Sequence, residues 1–266
     1  MSEIISMFAT DLGISAPLAV AYLLVSVLVV IMAIVAAVMK VIIWIRYSRA
    51  NKMPIANQMT GIETAQYVLD REGLSPEVTV RKAGFLREAV FGNYYNVVTK
   101  KIYLRSVFGK IDKKKTVTST ALAVQKVAIA KLCESGDRQA ITRGRLQLLG
   151  LFGPFLFIPI VLIGALLDIL LMNGNGVLSL ASIALSGMIL VLGFVVTGLN
   201  IPVEKRANQV ALELMFKHGL ANAEEIETMR KVYDTYITSY ICDFILEILR
   251  ILQWILENFI KAKGNN

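Results

Sequence analysis

Four apolar runs divide the chain. Pro17–Ile45 is nearly unbroken Leu, Val, Ile and Ala around a lone Lys40. Leu148–Met172 and Val177–Leu199 form a close pair joined by Asn173-Gly174-Asn175-Gly176, and Ile237–Ile260 is a fourth, more polar run. About 20 apolar helical residues cross a hydrocarbon core. The first run, extended to 17–46, therefore predicts a tilted spanning helix with Lys40 snorkelling and Trp44 and Ile45 at the interface. Segment 148–199 predicts a helical hairpin whose Pro154 and Pro159 kink the first arm. Ser182, Ser186 and Gly187 give the second arm a small-residue face, suited to close packing on the first arm or on a partner. Asp168, one turn from the outer end, is expected to reach the Asn-Gly turn. Within 237–266, Asp243, Glu247, Arg250, Trp254 and Glu257 recur at helical spacing as one polar stripe, with Glu247 and Arg250 an i,i+3 pair. Such a stripe suits a helix that hides it against other spans, one lying in the interface, or one covered by a partner; Lys261 and Lys263 disfavour export of the tail.

Between the first two runs the pattern changes to mixed α and β. Thr60-Gly61-Ile62-Glu63 is a capping box opening an amphipathic helix that runs through Leu69 and stops at Gly73. Glu77–Arg81 alternates like a strand, Phe85–Phe91 is a candidate second strand, Asn93–Asn96 a turn and Val97–Leu104 a third strand. A solvated run, Lys113-Lys114-Lys115, precedes a helix over 116–133. After the hairpin, Pro202 suits a first helical turn, and Val203–Lys217 carries apolar residues at helical spacing. His218 falls at that helix's C-terminus, where a cation suits the dipole. Gly219 is the cap, and a further helix starts at Ala223. Segments 47–147 and 200–236 thus read as the parts of one folded domain.

Composition supports a membrane protein: 56% of the 266 residues are hydrophobic and 18% charged. Of 28 Lys and Arg, 19 lie between Arg46 and Gln147, against 8 Asp and Glu. The leader, residues 1–16, has Glu3 and Asp11 and no cation. The positive-inside rule then places 1–16 outside, 47–147 and 200–236 in the cytoplasm, and the Asn-Gly turn outside. The first run is too long for a signal h-region and reads as a retained anchor. The net charge of +8 is mainly this topology signal, with attraction to anionic headgroups secondary. No recognition fold or aromatic-basic platform points to nucleic acid. Cys133 and Cys242 lack metal-ligand spacing and read as unpaired structural thiols.

The opening from Met59-Thr60-Gly61 through Glu63, Ala65, Leu69 and Gly73-Leu74 resembles that of the bacterial neutral zinc metallopeptidases, which are membrane-bound. That family continues with a strand, a His-Tyr-Asp-Pro turn, a strand, a His-Glu-x-x-His helix, two spans and a Pro-Val-Glu-Phe-Asp-Ala-Ser segment. Here the corresponding stretches are Tyr94-Tyr95-Asn96-Val97, Thr99–Arg105, Ala121–Leu132 and Pro202-Val203-Glu204-Lys205-Arg206-Ala207-Asn208, followed by Gly219-Leu220. Order and spacing agree over roughly residues 20–255. The resemblance implies a membrane α-helical protein with a cytoplasmic α+β zincin-like domain and three to four transmembrane helices, in a bacterial cytoplasmic membrane.

The departures fall on the site. Gln125 and Ile129 stand at the histidine ligand positions and Lys126 at that of the general-base Glu. Tyr94 and Asn96 replace the turn's His and Asp, and Arg206 replaces the Asp after Glu204. Of the matched positions, Glu204 alone keeps its acid. Two imidazoles one turn apart cannot be supplied by a chain whose sole histidine is His218. No cofactor is therefore expected. Two readings of Glu204 stay open: Lys126, with Arg206, supplies the charge that zinc would bring, or Glu204 is a solvated carboxylate at a helix N-terminus. The leading expectation is a catalytically inactive homologue acting as a structural or partner-binding subunit, bound to lipid and to other membrane subunits or to itself. The alternatives are a hydrolase with relocated chemistry, using Lys126 or Cys133 as nucleophile without a visible base, and a transporter or channel component.

Overall fold

A computed structural model describes residues 15–107 and 109–264; the acidic leader through residue 14 lies outside them. The chain is mostly helical with one small sheet and falls into two units, residues 1–45 with 234–266, and residues 46–233.

In the first unit residues 16–45 of the apolar helix α1 (Ala16–Ala50) and residues 234–264 of the C-terminal helix α8 (Ala223–Gly264) meet through Ala36, Cys242 and Leu246. Polar pairs extend that contact. Lys40 lies 3.5 Å from Asp243, the Tyr22 hydroxyl donates to Glu257 at 3.2 Å, and Gln253 donates to Ser26. Two members of the expected polar stripe are thus turned towards α1, while Trp254 faces outward. The helix beginning at Ala223 runs without a break through the fourth apolar run.

In the second unit α2 (Gly61–Arg71) starts with the expected box: Thr60 accepts from the Glu63 amide and Glu63 from the Thr60 amide. Gly61 is needed here, because a side chain would collide with the Ile111 carbonyl. The sheet has the order β1-β3-β2. Strands β1 (Thr79–Lys82) and β3 (Lys101–Leu104) run parallel, with Val80 opposite Ile102, and β2 (Tyr94–Asn96) runs antiparallel with Tyr94 opposite Tyr103. Two expectations are corrected. Phe85–Phe91 is a helix, α3, rather than a strand, because Glu88 needs to turn inward to reach three loop amides. Tyr94–Asn96 is a strand rather than a turn; the turn comes later, where the Asn96 side chain accepts from the Val98 and Thr99 amides.

Helix α4 (Val117–Glu134), capped by Thr116, runs through the centre of this unit. It is buried on nearly every side from Val117 to Ala130, so it lacks the amphipathic stripe of a surface helix. A short helix α5 (Arg138–Arg145), capped by Asp137, leads into the hairpin of α6 (Gln147–Met172) and α7 (Val177–Lys217). Asn173, Gly174 and Gly176 adopt positive φ at the turn. Asp168 is buried and closes it, accepting from the Gly176 and Leu178 amides at 2.7 and 2.9 Å. That carboxylate satisfies two of the unpaired amides that every helix start leaves. Ser182 sits against Gly164 of α6 and Ser186 is buried, while a side chain at Gly187 would meet nothing among the described residues.

The expected break at Pro202 is also absent: α7 is a single helix of 41 residues. Burial of Val203, Ala207, Ala211 and Leu214 along one face offsets the one hydrogen bond that an internal proline removes. Among the described residues, α1 and α7 are long and apolar enough to cross a membrane, and α6 contributes a shorter apolar stretch, Ile158–Met172.

Candidate functional site

Three elements of the second unit converge on one carboxylate. Continuity of α7 through Pro202 places Asn200, Glu204 and Asn208 four residues apart on one face. Across from it α4 presents Gln125 and Lys126, and α5 presents Arg143. Glu204 is 2% exposed. Its Oε1 accepts from Arg143 Nη2 at 2.8 Å and lies 3.8 Å from Lys126 Nζ. Its Oε2 accepts from Gln125 Nε2 at 2.8 Å, and the same amide group donates to Asn208 at 2.7 Å. Arg143 Nε is bound in turn by Asn200 at 2.7 Å.

The electrostatics follow from this arrangement. Burial by itself would push the Glu204 carboxyl up, but Lys126 and Arg143 outweigh it and hold the group below the usual carboxylate range. Lys126 goes the other way. Burial lowers its ammonium below the usual lysine value, Glu204 opposes that shift, and the neighbouring Arg143 adds to it. Tyr233 packs against the same helix, its hydroxyl donating to the Ala121 carbonyl, and burial together with the Glu204 charge raises its pKa. The centre is thus a carboxylate under two cations, with the less favourably placed cation, Lys126, partly destabilised.

The sequence-derived candidates separate into two groups. Gln125, Lys126 and Glu204 come together. Ile129 is buried in the same helix and offers hydrocarbon. Arg206 does not join them: two residues beyond Glu204 it points to another side of α7, where it binds Asp137 at 3.2 Å and Gln139 at 2.9 Å. Arg143 takes the place expected of it. Glu204 is also not a solvated helix-start carboxylate, because it is buried within a continuous helix. Tyr94 is committed to a stack on Tyr103 with ring centroids 5.0 Å apart, and Asn96 to its own turn. Asn200, Asn208, Arg143 and Tyr233 were not foreseen. The four-residue spacing of Asn200, Glu204 and Asn208 was a usable signal, but ending a span before Pro202 hid it. Arg143 gave none, because its helix is short and basic.

Two further candidates are inert in this setting. The Cys133 thiol is buried and pushed up to about 11, mainly by that burial, which leaves little thiolate. His218 caps α7, and its ring lies 2.7 Å from Glu72. Lys131 and Lys217 also reach that carboxylate, at 2.6 and 2.7 Å.

Zinc would need deprotonated nitrogen, sulfur or oxygen donors in a tetrahedral set. The residues here do not fit it. One candidate position is an alkyl chain, one an ammonium, and one an amide already donating to two acceptors. The remaining carboxylate has both oxygens occupied by protein donors. Among the described residues no group of three His, Cys, Asp or Glu could hold a metal ion.

Residues 24–258 match a family described as "Putative neutral zinc metallopeptidase". No curated protein matches the chain, and no solved structure does. The match spans most of the chain, including α4, the hairpin and the Glu204 face, so the protein belongs to the neutral zinc metallopeptidase family.

Proposed function

We propose that the protein is a catalytically inactive member of this family, serving as a structural or partner-binding subunit of a membrane protein assembly. One observation carries the reading: Glu204, the surviving acidic position, has both oxygens engaged by Arg143 and Gln125, with Lys126 close by. A carboxylate in that state is neither a metal ligand nor a general base. Lys126 cannot activate water while protonated, and its amine is directed at Glu204. Retaining the body of the fold while the reactive groups are replaced is what a binding or scaffolding role tolerates.

In this reading α1, α6 and residues 177–199 of α7 cross a bacterial cytoplasmic membrane, residues 237–264 of α8 join the membrane part, and the sheet with α2 to α5, and residues 200–236, face the cytoplasm. The clustering of cations after α1 supports that orientation. The test has two arms. The full chain, purified in detergent, is assayed for casein hydrolysis with and without added zinc, and affinity capture from solubilised membranes reports what it holds. The proposal predicts no turnover and a reproducible membrane partner or self-association. Turnover that depends on Glu204, or a chain that is always alone and monomeric, refutes it.

A further inference from the structure

Helix α3 is built inside out. On its inner side Glu88 is 0% exposed. Its carboxylate accepts from the amides of Ser106, Val107 and Gly109 at 2.9, 2.7 and 3.1 Å. Phe91 packs beside Tyr94, and Arg87 lies over the Tyr103 ring at 4.3 Å. On its outer side, one turn apart, stand Leu86 at 76% and Val90 at 39% exposure, with Phe85 beside them. Val107, whose amide Glu88 holds, adds a further exposed apolar side chain. A charge turned in and hydrocarbon turned out cost free energy twice in water, so the arrangement suits a surface that meets something apolar.

The surrounding charge selects what that is. Between residues 81 and 115 there are ten Lys and Arg and two acids, and both acids, Glu88 and Asp112, are buried. Arg81 and Lys110 are exposed, as are Lys82, which lies 3.9 Å from Asp112, and Arg87, whose guanidinium lies above Tyr103. The exposed hydrocarbon of α3 is therefore flanked in sequence by exposed cations, with no exposed acid between residues 81 and 115. This is the pattern of a monotopic interfacial helix on negatively charged lipid. A protein partner of mixed charge would not require the acids to be withdrawn.

We infer that α3, together with Val107, rests on an anionic lipid bilayer, its apolar face dipping to the headgroup level while the flanking cations bind lipid phosphates. Glu88 is the device that holds the helix and the Val107 backbone in that orientation. The inference rests on the membrane reading proposed above, so its test includes a position that reports on that reading separately.

Full-length protein carrying one added cysteine, Leu86→Cys, Val107→Cys, Gln66→Cys or Val191→Cys, is labelled with a polarity-sensitive fluorophore. It is reconstituted into phosphatidylcholine vesicles with or without phosphatidylglycerol. Nitroxide lipids, spin-labelled at the headgroup or along the acyl chain, then report depth. The native Cys133 and Cys242 are buried, so the added thiol is the accessible one. Leu86 and Val107 should be quenched on the order of threefold more strongly than the exposed polar control Gln66 when phosphatidylglycerol is present, and much less without it. Quenching no greater than at Gln66, with Val191 on α7 still quenched, overturns the inference and leaves the membrane reading standing. If Val191 is also unquenched, both fall. Shielding of Leu86 that appears only when a second protein is added would assign the face to a protein and equally overturn it.

Discussion

Replacing Glu204 by Gln keeps the side chain's shape and removes its charge, leaving the Lys126 ammonium at 3.8 Å and the Arg143 guanidinium at 2.8 Å without a counter-charge. Both cations are largely buried. Removing one partner of a buried pair typically costs about 3–5 kcal/mol, since the charge left behind stays desolvated. Lys126→Met is the contrasting change. It leaves Glu204 its closest cation and its Gln125 donor, and it removes an ammonium that burial already disfavours, so about 0–1 kcal/mol is expected. Arg143→Leu should fall between the two. Trp44 and Trp254 both lie in the other unit, so tryptophan fluorescence is a poor reporter; hydrogen exchange of 117–134 and 200–217 reads this unit directly. At about 1.4 kcal/mol per decade, Glu204→Gln should speed exchange roughly a hundredfold or more, and Lys126→Met less than about tenfold. The pH dependence follows with definite sign. Glu204 is depressed below 4.5, so its contribution is present above that value and lost as pH falls through the folded pKa. Lys126 is depressed below 10.5, so between its folded value and 10.5 the unfolded state binds more protons and stability from this group rises with pH. Glu204→Gln proving no worse than Lys126→Met would refute the idea that this carboxylate holds the centre together.

Three further outcomes are expected. Glu72 is pulled down to about 2 because its hydrogen bonds from Lys131, Lys217 and His218 outweigh its burial, so its stabilisation is complete above about 4.5 and lost towards pH 2; Glu72→Gln should flatten the stability–pH curve of the purified protein across that window. Gly164→Val should lower the thermal midpoint in detergent by forcing Ser182 off α6, at about 1–3 kcal/mol, whereas Gly187→Val, which meets nothing among the described residues, should cost less. Asp168→Ala should destabilise the hairpin by about 2 kcal/mol, measured as increased protease cleavage at the 173–176 turn, because two helix-start amides lose their acceptor.

Much of the fold could be read from local chemistry. The Thr60–Glu63 box fixes the start of α2, the apolar pair around Asn173–Gly176 fixes the hairpin, and Thr116 fixes the start of α4. Where the reading failed, a distant partner decided the local structure. Phe85–Phe91 has the aromatic and branched residues of a strand, but Glu88 finds its amides only across a loop eighteen to twenty-one residues away. Pro202 signals a helix start, yet burial of the flanking face carries α7 through it. At the site, matching the register of α4 and the Pro-Val-Glu segment to a known family brought Gln125, Lys126 and Glu204 into view. Arg143 lies outside every such motif. Arg206 was misplaced because closeness in sequence does not mean a shared helix face.

Protein cations and an amide occupy the Glu204 carboxylate that would otherwise face a metal. Zinc measured by elemental analysis on the purified full chain, after dialysis against micromolar zinc and compared with Glu204→Gln, tests this directly. Far less than one zinc per chain, unchanged by the substitution, is predicted. One zinc per chain that disappears in Glu204→Gln would contradict it.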